Sequence, residues 1–396
     1  MTLIPVASAS GSWRPRSLSR IAPGTALPQV DTNQTAGWVT HQTNAVCYDL
    51  HMKKVVIHKP GGYEQLRIEE HADLQPGPDE VLIDVTAIGI NFADCVTRMG
   101  LYASAKHYVG YPITPGFEVS GTIQSSGTEV TEFTPGTPVM AITRFGGYAT
   151  QVAVKRGQIF PLPEKLTLEA AAGLPAVSMT AWFALLQLAH AQAGDTILIH
   201  SAAGGVGSML VQLGKITGCR VIGVVGATHK TATVTALGAD AVIDKSTQDL
   251  WTEAERHAPN GYDIILDANG AATLKQSYEH LAAVGKLVVY GFHSMLRTQH
   301  GVPGKLRLAW DYLRTPRFSP FDLTTKNRSV LGFNLSFLFD KTAILQQGMN
   351  QVMQWLEAGK LQAPAVTTYP FEAVADAHHA LESGQTTGKL VLLCKS

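Results

Sequence analysis

The sequence predicts an α/β protein of two domains, a small and largely antiparallel β domain and a doubly wound domain with a parallel sheet. Three observations support this. The chain has 396 residues, which is enough for two domains with sizeable cores. Between residue 52 and about residue 175, short apolar runs alternate in polarity and are broken by Gly and Pro. From about Ser178 onward, strand and helix patterns alternate, which is typical of a parallel sheet with right-handed crossovers.

Composition narrows the class of protein. Apolar residues make up 45% of the chain, charged residues 16%, and the formal net charge is zero. This favours a compact enzyme over a disordered protein and predicts no nucleic-acid partner. The four cysteines are scattered, which argues against a disulfide framework and a four-cysteine zinc site. No run reaches the ~18 apolar residues of a membrane span, so we expect a cytoplasmic protein.

Residues 1–51 differ from the rest of the chain. They are rich in Ser, Thr, Gln and Pro and show no strand or helix period. We predict a disordered extension, or an upstream start with Met52 as the natural beginning. The alternative is a mitochondrial transit segment, because Arg14, Arg16 and Arg20 precede the first acid, Asp31.

The β domain is predicted over residues 52–176 and 339–396. Its clearest strands are "EVLIDVTAIGIN" (80–91), "EVSGTIQSSG" (118–127) and "TPVMAI" (137–142), which alternate as half-buried strands do. After residue 338 come a helix, a strand, a second helix and the closing strand "KLVLLC". We expect this last section to fold back onto the N-terminal β domain.

The doubly wound domain is predicted over residues 177–338, with a parallel sheet of six strands. The strands are expected at "DTILIH", "CRVIGVV", "DAVID", "YDIILDA", "KLVVYG" and "SVLGFNL", with helices between the first five.

A glycine-rich turn follows the first of these strands, in "IHSAAGGVGSMLVQLGK" (199–215). Its spacing is A-x-G-x-x-G, with Ala202 where the usual motif has glycine. Gly204 is the position at which the backbone approaches a pyrophosphate, and Gly207 permits close packing of helix on strand. A strand before and a helix after the turn predict a dinucleotide site, with a tight structural turn as the alternative.

The end of the second strand bears on which dinucleotide is bound. NAD enzymes place an acid there for the ribose 2′-hydroxyl. This chain has Gly226, Thr228 and Lys230 at that point and no carboxylate. The pattern favours a 2′-phosphate and therefore NADPH, with Lys230 as an ordinary solvated charge as the alternative.

Further motifs give the chain a family resemblance. They are N-F-x-D-x-x-x-R-x-G-x-Y at 91–102, P-G-x-E at 115–118, "LPAVSMTAW" at 174–182, residues 194–215 with the glycine turn, and "GKLVLL" at 388–393. In these motifs the chain resembles the zinc-independent quinone oxidoreductases of the medium-chain dehydrogenase/reductase superfamily. The segment 295–328 and "GFNLSFL" make it most similar to the vesicle amine transport protein homologues. The resemblance implies a GroES-like β domain and a Rossmann nucleotide-binding domain.

The resemblance also implies an activity: NADPH-dependent transfer of hydride to a quinone or an α,β-unsaturated carbonyl. It places Asn91, Asp94, Tyr102 and Thr180 in the catalytic site, with Tyr102 or Asn91 near the substrate oxygen. Asp94 is expected to be ionised and structural, paired with Arg98. Turn formation and core capping are the alternatives for Asn91 and Tyr102. Some relatives have a tyrosine where this chain has Val96, so no single proton donor is assigned.

The implied cofactor contacts extend over both domains. They are Asn91, Thr180, Ala203, Gly204, Gly205, Val206, Gly226, Lys230, Lys245, Asn269, Tyr290, Gly291, Phe292, His293, Phe333 and Asn334. Lys245 stands where relatives often have tyrosine or histidine near the 2′-phosphate, and it would strengthen a preference for NADPH.

No metal site is predicted. Zinc-dependent members of the superfamily have a histidine ligand at the position of Phe117 in this chain, and a catalytic zinc needs three protein ligands. Cys95 is the one remaining candidate ligand, and we expect it to be a small, half-buried apolar residue.

Two surfaces suggest partners. "SVLGFNL" would lie at the sheet edge, as in homodimeric relatives, so we expect a homodimer. The segment 295–328 is basic and aromatic, which suits either an anionic membrane surface or ordinary packing over the cleft or the dimer edge. Its residues are Arg297, Lys305, Arg307, Arg314, Arg317, Lys326 and Arg328, with Trp310, Tyr312, Phe318 and Phe321 between them.

Overall fold

The computed structural model describes residues 50–296 and 302–395. Most of the predicted extension 1–51 therefore lies outside the described residues, as does Arg297 of the basic segment. The first strand begins at Leu50. This is two residues earlier than the predicted start at Met52.

In the first half of the chain, the strands and helices are β1 (Leu50–Val56), β2 (Arg67–Ala72), β3 (Glu80–Ile90), α1 (Phe92–Arg98), α2 (Ala103–Tyr108), β4 (Glu118–Ser126), β5 (Pro138–Ile142), β6 (Gln151–Lys155), β7 (Ile159–Pro161), α3 (Leu168–Ala172) and α4 (Pro175–Trp182). A π-helical turn, Phe183–Leu188, continues α4.

In the second half they are β8 (Thr196–Ile199), α5 (Gly205–Thr217), β9 (Arg220–Val225), α6 (Thr231–Ala236), β10 (Ala241–Asp244), α7 (Leu250–His257), β11 (Tyr262–Asp267), α8 (Leu274–Glu279), β12 (Leu281–Val289), α9 (His293–Leu296), α10 (Lys305–Arg314), α11 (Pro320–Lys326), β13 (Ser329–Gly332), α12 (Thr342–Glu357), β14 (Val366–Pro370), α13 (Val374–Ser383) and β15 (Lys389–Leu393).

The β domain contains a seven-stranded sheet in the order β14-β15-β3-β4-β5-β7, with β6 also paired to β3. The pairings of β3, β4, β5, β6 and β7 are antiparallel. The closing strand β15 runs antiparallel to β3, with Leu390 opposite Ile90. The C-terminal section thus returns to the N-terminal β domain, as predicted, and the GroES-like sheet is confirmed.

The Rossmann domain contains a six-stranded sheet in the order β10-β9-β8-β11-β12-β13, and every pairing is parallel. Continuous apolar runs form its centre, because crossover helices cover both faces; Ile197, Leu198 and Ile199 of β8 are fully buried. This confirms the predicted sheet.

The sixth strand is shorter than "SVLGFNL" suggests. It ends at Gly332, and a 3₁₀ turn over Leu335–Phe337 follows. The Asn334 side chain accepts a hydrogen bond from the Ser336 N–H and so begins that turn. Polar capping by asparagine therefore ends the strand early.

One apolar cluster joins the two domains. It includes Ile142 and Phe160 of the β domain, Trp182 of α4, Ile199 of β8 and Met349 of α12. The two domains therefore share a continuous apolar core. Among the described helices, none is long and apolar enough to cross a membrane.

Candidate active site

The glycine turn connects β8 to α5, and its backbone explains the departure at Ala202. Ser201 has φ of 55°, so the left-handed residue of the turn is Ser201 and not Ala202. Ala202 is fully buried, and its N–H donates to the Val224 carbonyl at 3.0 Å. The methyl group at the first motif position therefore packs into the sheet without disturbing the turn.

The two glycines of the turn have different surroundings. A Cβ on Gly207 would lie 2.3 Å from the Ser201 carbonyl oxygen and 2.7 Å from Ala202 Cα. A Cβ on Gly204 would have only the Ser201 oxygen nearby, at 3.4 Å. Gly207 is thus required by packing, whereas Gly204 leaves open the space in front of the α5 N-terminus, where N–H groups suit a phosphate.

Asn269 follows β11 and carries an unused donor. Its Oδ1 accepts a hydrogen bond from Ser201 Oγ at 3.2 Å. The residue is buried, and its Nδ2 has no hydrogen-bond partner in the part of the chain that the structure describes. A buried amide donor beside an open glycine turn fits a dinucleotide, because an unsatisfied buried donor is costly.

The end of β9 is where the sequence predicts a site for the 2′-phosphate. Lys245 lies there, with its Cε 3.5 Å from where a Cβ of Gly226 would be. Lys230 is 8% exposed, and its Nζ donates to the carbonyls of Gly384 at 2.7 Å and Thr386 at 2.8 Å. Lys230 is therefore not a solvated charge, which was the alternative prediction from the sequence. It links the Rossmann domain to the segment between α13 and β15 through these two hydrogen bonds.

A carboxylate lies at this same place, and sequence reasoning missed it. Asp244 ends β10, the strand next to β9, and accepts hydrogen bonds from Thr228 Oγ at 2.6 Å and Ser246 Oγ at 2.6 Å. These bonds, that of Ser246 first, lower the pKa of Asp244. The signal was the final residue of "DAVID", which becomes relevant only once β10 is known to pair with β9.

Of the residues predicted to lie around the nicotinamide, the structure brings Tyr102 together with Asn334. The Tyr102 hydroxyl donates to Asn334 Oδ1 at 2.9 Å, and Ser336 Oγ donates to the same oxygen at 2.8 Å. Burial raises the pKa of Tyr102. The Tyr102 proton is thus held by Asn334 in this state, and Ser336 is a neighbour that the sequence did not indicate.

Aromatic rings surround this pair. Phe117 lies with its ring centroid 5.7 Å from that of Tyr102 and 5.1 Å from that of Phe145. The ring centroid of Phe333 lies 4.9 Å from that of Phe183 and 6.4 Å from that of Tyr290. The predicted residues Tyr102, Tyr290 and Phe333 therefore lie among other aromatic side chains, and flat apolar rings suit planar ligands.

Asn91 is the N-cap residue of α1. Its Nδ2 donates to Glu118 Oε1 at 2.8 Å, and its Oδ1 accepts from Lys389 Nζ at 2.8 Å. The next residue, Phe92, has its ring 5.9 Å from that of His293. Glu118 and Lys389 were not assigned a role from the sequence, although both belong to its motifs P-G-x-E and "GKLVLL".

Thr180 lies one turn into α4. Its Oγ donates to the Ala176 carbonyl at 2.7 Å, which leaves its oxygen lone pairs for a ligand. The Ala176 N–H donates to Glu118 Oε2 at 2.7 Å. Glu118 therefore holds both Asn91 and the start of the helix that carries Thr180.

Asp94 is completely buried and does not pair with Arg98, which corrects the expectation from sequence. Its carboxylate accepts from the backbone N–H groups of Asn91 and Gly116, each at 2.8 Å. Burial raises the pKa of Asp94 to about 7, although these two bonds oppose the rise. Arg98 instead forms an ion pair with Glu382 of α13, since that face of α1 packs on α13.

Cys95 is fully buried rather than half-buried, and it is part of a polar cluster. Its Sγ lies 3.4 Å from His378 Nδ1, and the Tyr148 hydroxyl is 3.1 Å from His378 Nε2. Burial, followed by the charge of Arg98, lowers the pKa of His378 to about 3. Cys95, His378 and Glu382 are ligand types with atoms within 4.8 Å of one another. Arg98 already neutralises Glu382, so the cluster is balanced as it stands.

In the described part of the basic segment, the two short helices α10 and α11 follow α9 and precede β13. One face of α10 presents Leu306, Trp310 and Leu313, which are 88%, 60% and 71% exposed. Phe321 of α11 is 85% exposed. These four side chains are therefore largely uncovered by the described part of a single chain, and both packing at a dimer edge and binding to a membrane surface stay predictions.

Comparisons with known proteins agree with this architecture. Residues 77–164 match the alcohol dehydrogenase GroES-like domain family, and residues 237–392 match the zinc-binding dehydrogenase family. The chain is 33% identical to the synaptic vesicle membrane protein VAT-1 homolog of Danio rerio, over 86% of this chain and 69% of that protein. It is 32% identical to a 2-haloacrylate reductase of Burkholderia sp, over 85% of this chain and 98% of that protein.

The solved structure of a similar protein has the same fold as this chain. The Escherichia coli quinone oxidoreductase complexed with NADPH is 25% identical to this chain and superimposes with a TM-score of 0.74, over 86% of this chain and 99% of the other. The fold, the glycine turn and the matched length all agree with the resemblance seen in the motifs. The chain therefore belongs to the medium-chain dehydrogenase/reductase superfamily, among the vesicle amine transport protein homologues and quinone oxidoreductases.

Proposed function

We propose that the protein is an NADPH-dependent reductase that transfers hydride to a quinone or an α,β-unsaturated carbonyl. The observation that carries the proposal is the meeting of the two domains at the glycine turn, where Gly204 and Gly388 form a parallel β-bridge. The Rossmann domain supplies the open Gly204 turn and the unused Asn269 donor. The β domain supplies Asn91 and Tyr102, and Tyr102 donates to Asn334. The similar quinone oxidoreductase that was solved with NADPH supports the choice of cofactor.

When bound, NADPH would supply the hydride for an electron-poor substrate carbon, and the oxygen on which negative charge develops would take its proton from solvent. The residues of this chain bind and orient the reactants and stabilise that charge. Asn91 can donate its second Nδ2 hydrogen, because the first is directed to Glu118. Tyr102 can donate only if its proton leaves Asn334. Phe117 and Phe145 exclude water and contact a planar substrate.

We propose that the activity needs no zinc. Phe117 occupies the position of a ligand histidine and packs against aromatic rings. Among the described residues, the cluster with suitable ligand types is Cys95, His378 and Glu382, in which Arg98 already provides the positive charge. Unchanged turnover after dialysis against a chelator supports the proposal. About one zinc per chain, with activity lost on its removal, contradicts it.

The function is tested by NADPH oxidation with a panel of 1,4-quinones, alkenals and enones. The expected result is saturable turnover with at least one member and a strong preference for NADPH over NADH. If NADPH neither binds in a fluorescence titration nor is oxidised with any member, the proposal is wrong.

Cofactor choice has a test of its own at Lys245. We expect Lys245→Ala to weaken NADPH binding by about 10–100-fold, because a charge-assisted hydrogen bond contributes about 1.5–3 kcal/mol, and to leave NADH binding nearly unchanged. Lys275→Ala, on α8, is the matched surface control. An unchanged ratio of NADPH to NADH affinity would remove Lys245 from the 2′-phosphate site. Lys230 is less suitable for this test because it also bonds the carbonyls of Gly384 and Thr386.

We also propose a cytoplasmic homodimer. β13 is at the edge of the six-stranded sheet within the described chain, and an open edge strand favours isologous pairing with a second copy. Sedimentation velocity should give twice the chain mass, and a monomer over the accessible concentration range contradicts the proposal. A fluorescent fusion of the full chain tests the location, with a mitochondrial pattern as the contrary result.

A second candidate function is binding at an anionic membrane surface. It is favoured by the exposed apolar face of α10 and by the exposed Arg314 and Arg317 next to it. The full chain should co-sediment with phosphatidylcholine vesicles that contain phosphatidylserine, and not with phosphatidylcholine alone. Changing Trp310 and Leu313 to Ser should abolish this binding without loss of NADPH turnover. Equal recovery with both vesicle types, or none with either, contradicts a charge-dependent membrane role.

A further inference from the structure

We propose that the buried ion pair Glu118–Lys389 is a positioning device for the side chain of Asn91. It orients the amide so that the N–H, and not the carbonyl oxygen, is the group available to the substrate. The inference rests on the proposed reductase function. It concerns two residues to which that proposal gives no role.

The pair is fully enclosed. Side-chain exposure is 0% for Glu118 and 4% for Lys389, and Lys389 Nζ lies 2.7 Å from Glu118 Oε1. Charges so placed are retained only when their hydrogen-bonding capacity is well used. Lys389 also donates to the Ile90 carbonyl at 2.7 Å, and Glu118 Oε2 accepts from the Ala176 N–H.

The remaining bonds of the pair go to one residue. Lys389 can only donate, so the atom of Asn91 facing it must be the carbonyl oxygen. Glu118 as a carboxylate can only accept, so the atom facing it must be the amide nitrogen. The two charges together select one of the two amide orientations. Reversal would place oxygen against carboxylate and N–H₂ against ammonium.

This orientation has a chemical consequence. One Nδ2 hydrogen remains after the bond to Glu118, and it is the donor that Asn91 can offer to a substrate oxygen. A donor fixed before the reaction stabilises developing negative charge without reorganisation. Lys389, which bonds Asn91, also lies against the nucleotide turn, because a Cβ on Gly205 would lie only 2.9 Å from Lys389 Cδ.

The test variant is the double substitution Glu118→Gln with Lys389→Met. It removes both charges, so no unpaired charge is left in the core, and the introduced amide can donate to Asn91 Oδ1 and so reverse its orientation. We expect kcat with a reactive 1,4-quinone to fall about 10–100-fold, the effect of losing one fixed donor, and the NADPH dissociation constant to change less than about threefold.

A matched control is available at the other end of α1. Arg98 and Glu382 form an equally buried pair, with side chains 0% and 1% exposed, that does not contact Asn91. The double variant Arg98→Met with Glu382→Gln should retain kcat within about twofold. If both double variants lose kcat equally, the effect is a general loss of packing and the inference is wrong.

Two further measurements keep the inference testable. In an Asn91→Ala background, the Glu118→Gln, Lys389→Met change should lower kcat by no more than about twofold, because residues that act as a unit are not additive. A full additional loss contradicts action through Asn91. If the double variant does not fold, Glu118→Gln with Lys389→Gln takes its place, because it also leaves no unpaired charge in the core, and the expected direction of change is the same.

A readout without turnover separates this inference from the proposed function. In protein labelled with ¹⁵N-asparagine, Asn91→Ala identifies the side-chain amide signal of Asn91. Its hydrogen exchange should be slow in the wild type and in the Arg98/Glu382 control, and at least about tenfold faster in the Glu118/Lys389 double variant. Equal exchange in all three overturns the inference even if the enzyme is active. Inactivity of the wild type with every substrate overturns only the proposed function.

Discussion

The two ends of helix α1 carry similar buried ion pairs with different surroundings. At the N-terminal end, Glu118 and Lys389 enclose Asn91. At the C-terminal end, Arg98 bonds Glu382, and its guanidinium carbon is 4.3 Å from the centre of the Tyr63 ring. Both pairs join α1 to the last elements of the chain.

The difference between the ends lies in what the charges hold. The Arg98–Glu382 pair holds backbone and packing, since Arg98 also donates to the Gly61 carbonyl and Tyr63 donates to Glu382. The Glu118–Lys389 pair holds a polar side chain with a spare donor. The comparison teaches that burial of a charged pair does not by itself indicate a function. The informative feature is the third residue to which both charges are hydrogen-bonded.

The largest expected effect comes from breaking either pair on one side. Lys389→Met and Arg98→Met should each lower the free energy of unfolding by about 3–5 kcal/mol, because each leaves a buried carboxylate without its partner. Urea denaturation measures the change. Lys215→Met, which breaks the exposed pair with Asp240, should cost no more than about 1 kcal/mol. Losses below about 1 kcal/mol at both buried sites would show that other groups stabilise the carboxylate that remains after the substitution.

A second prediction sharpens the comparison through pH. His378 lies beside Arg98, and its pKa in the folded state, about 3, is below the 6.5 of an unperturbed histidine. Its stabilising contribution is therefore complete above pH 6.5 and is lost as the pH falls toward 3. Between pH 7 and pH 4.5 the wild type should lose about 2–3 kcal/mol that His378→Gln does not lose.

Chemical denaturation at both pH values measures this difference between wild type and variant. His280→Gln, on the outer end of α8, serves as the control histidine and should follow the wild type. Identical acid sensitivity of wild type and His378→Gln would mean that His378 is not held neutral.

The smallest expected effect concerns the link between the two ends. Tyr148 is 3.1 Å from His378, and its interaction with Asp94 lowers the pKa of that carboxyl. Tyr148→Phe should reduce the unfolding free energy by about 1 kcal/mol, the net contribution of a typical hydrogen bond, and raise the pKa of Asp94 further. Denaturation at pH 7 gives the first quantity, and infrared titration of the Asp94 carboxyl gives the second. No change in either would show that the hydroxyl does not connect the two ends.

Much of this molecule could be predicted from sequence because the relevant signals are local. The start of α5 at Gly205, the six parallel strands and the return of "KLVLLC" to the β domain follow from periodicity and from turn residues. The glycine turn was recognisable even with Ala202, because Gly204 and Gly207 keep their spacing. The resemblance in residues 91–102 also indicated Asn91 and Tyr102 as site candidates.

Only the tertiary structure decided which polar groups meet. Asn91 and Lys389 are 298 residues apart, and Lys230 and Gly384, whose carbonyl it bonds, are 154 residues apart. A local pattern reports which face of a strand or helix is buried, and it contains no information on which distant side chain faces that position. The local pattern therefore could not show that Arg98 pairs with Glu382 of α13 and not with the nearby Asp94. The sequence by itself determined the scaffold and the types of residue in the site, and the packing of α1 against β15 and α13 decided their partners.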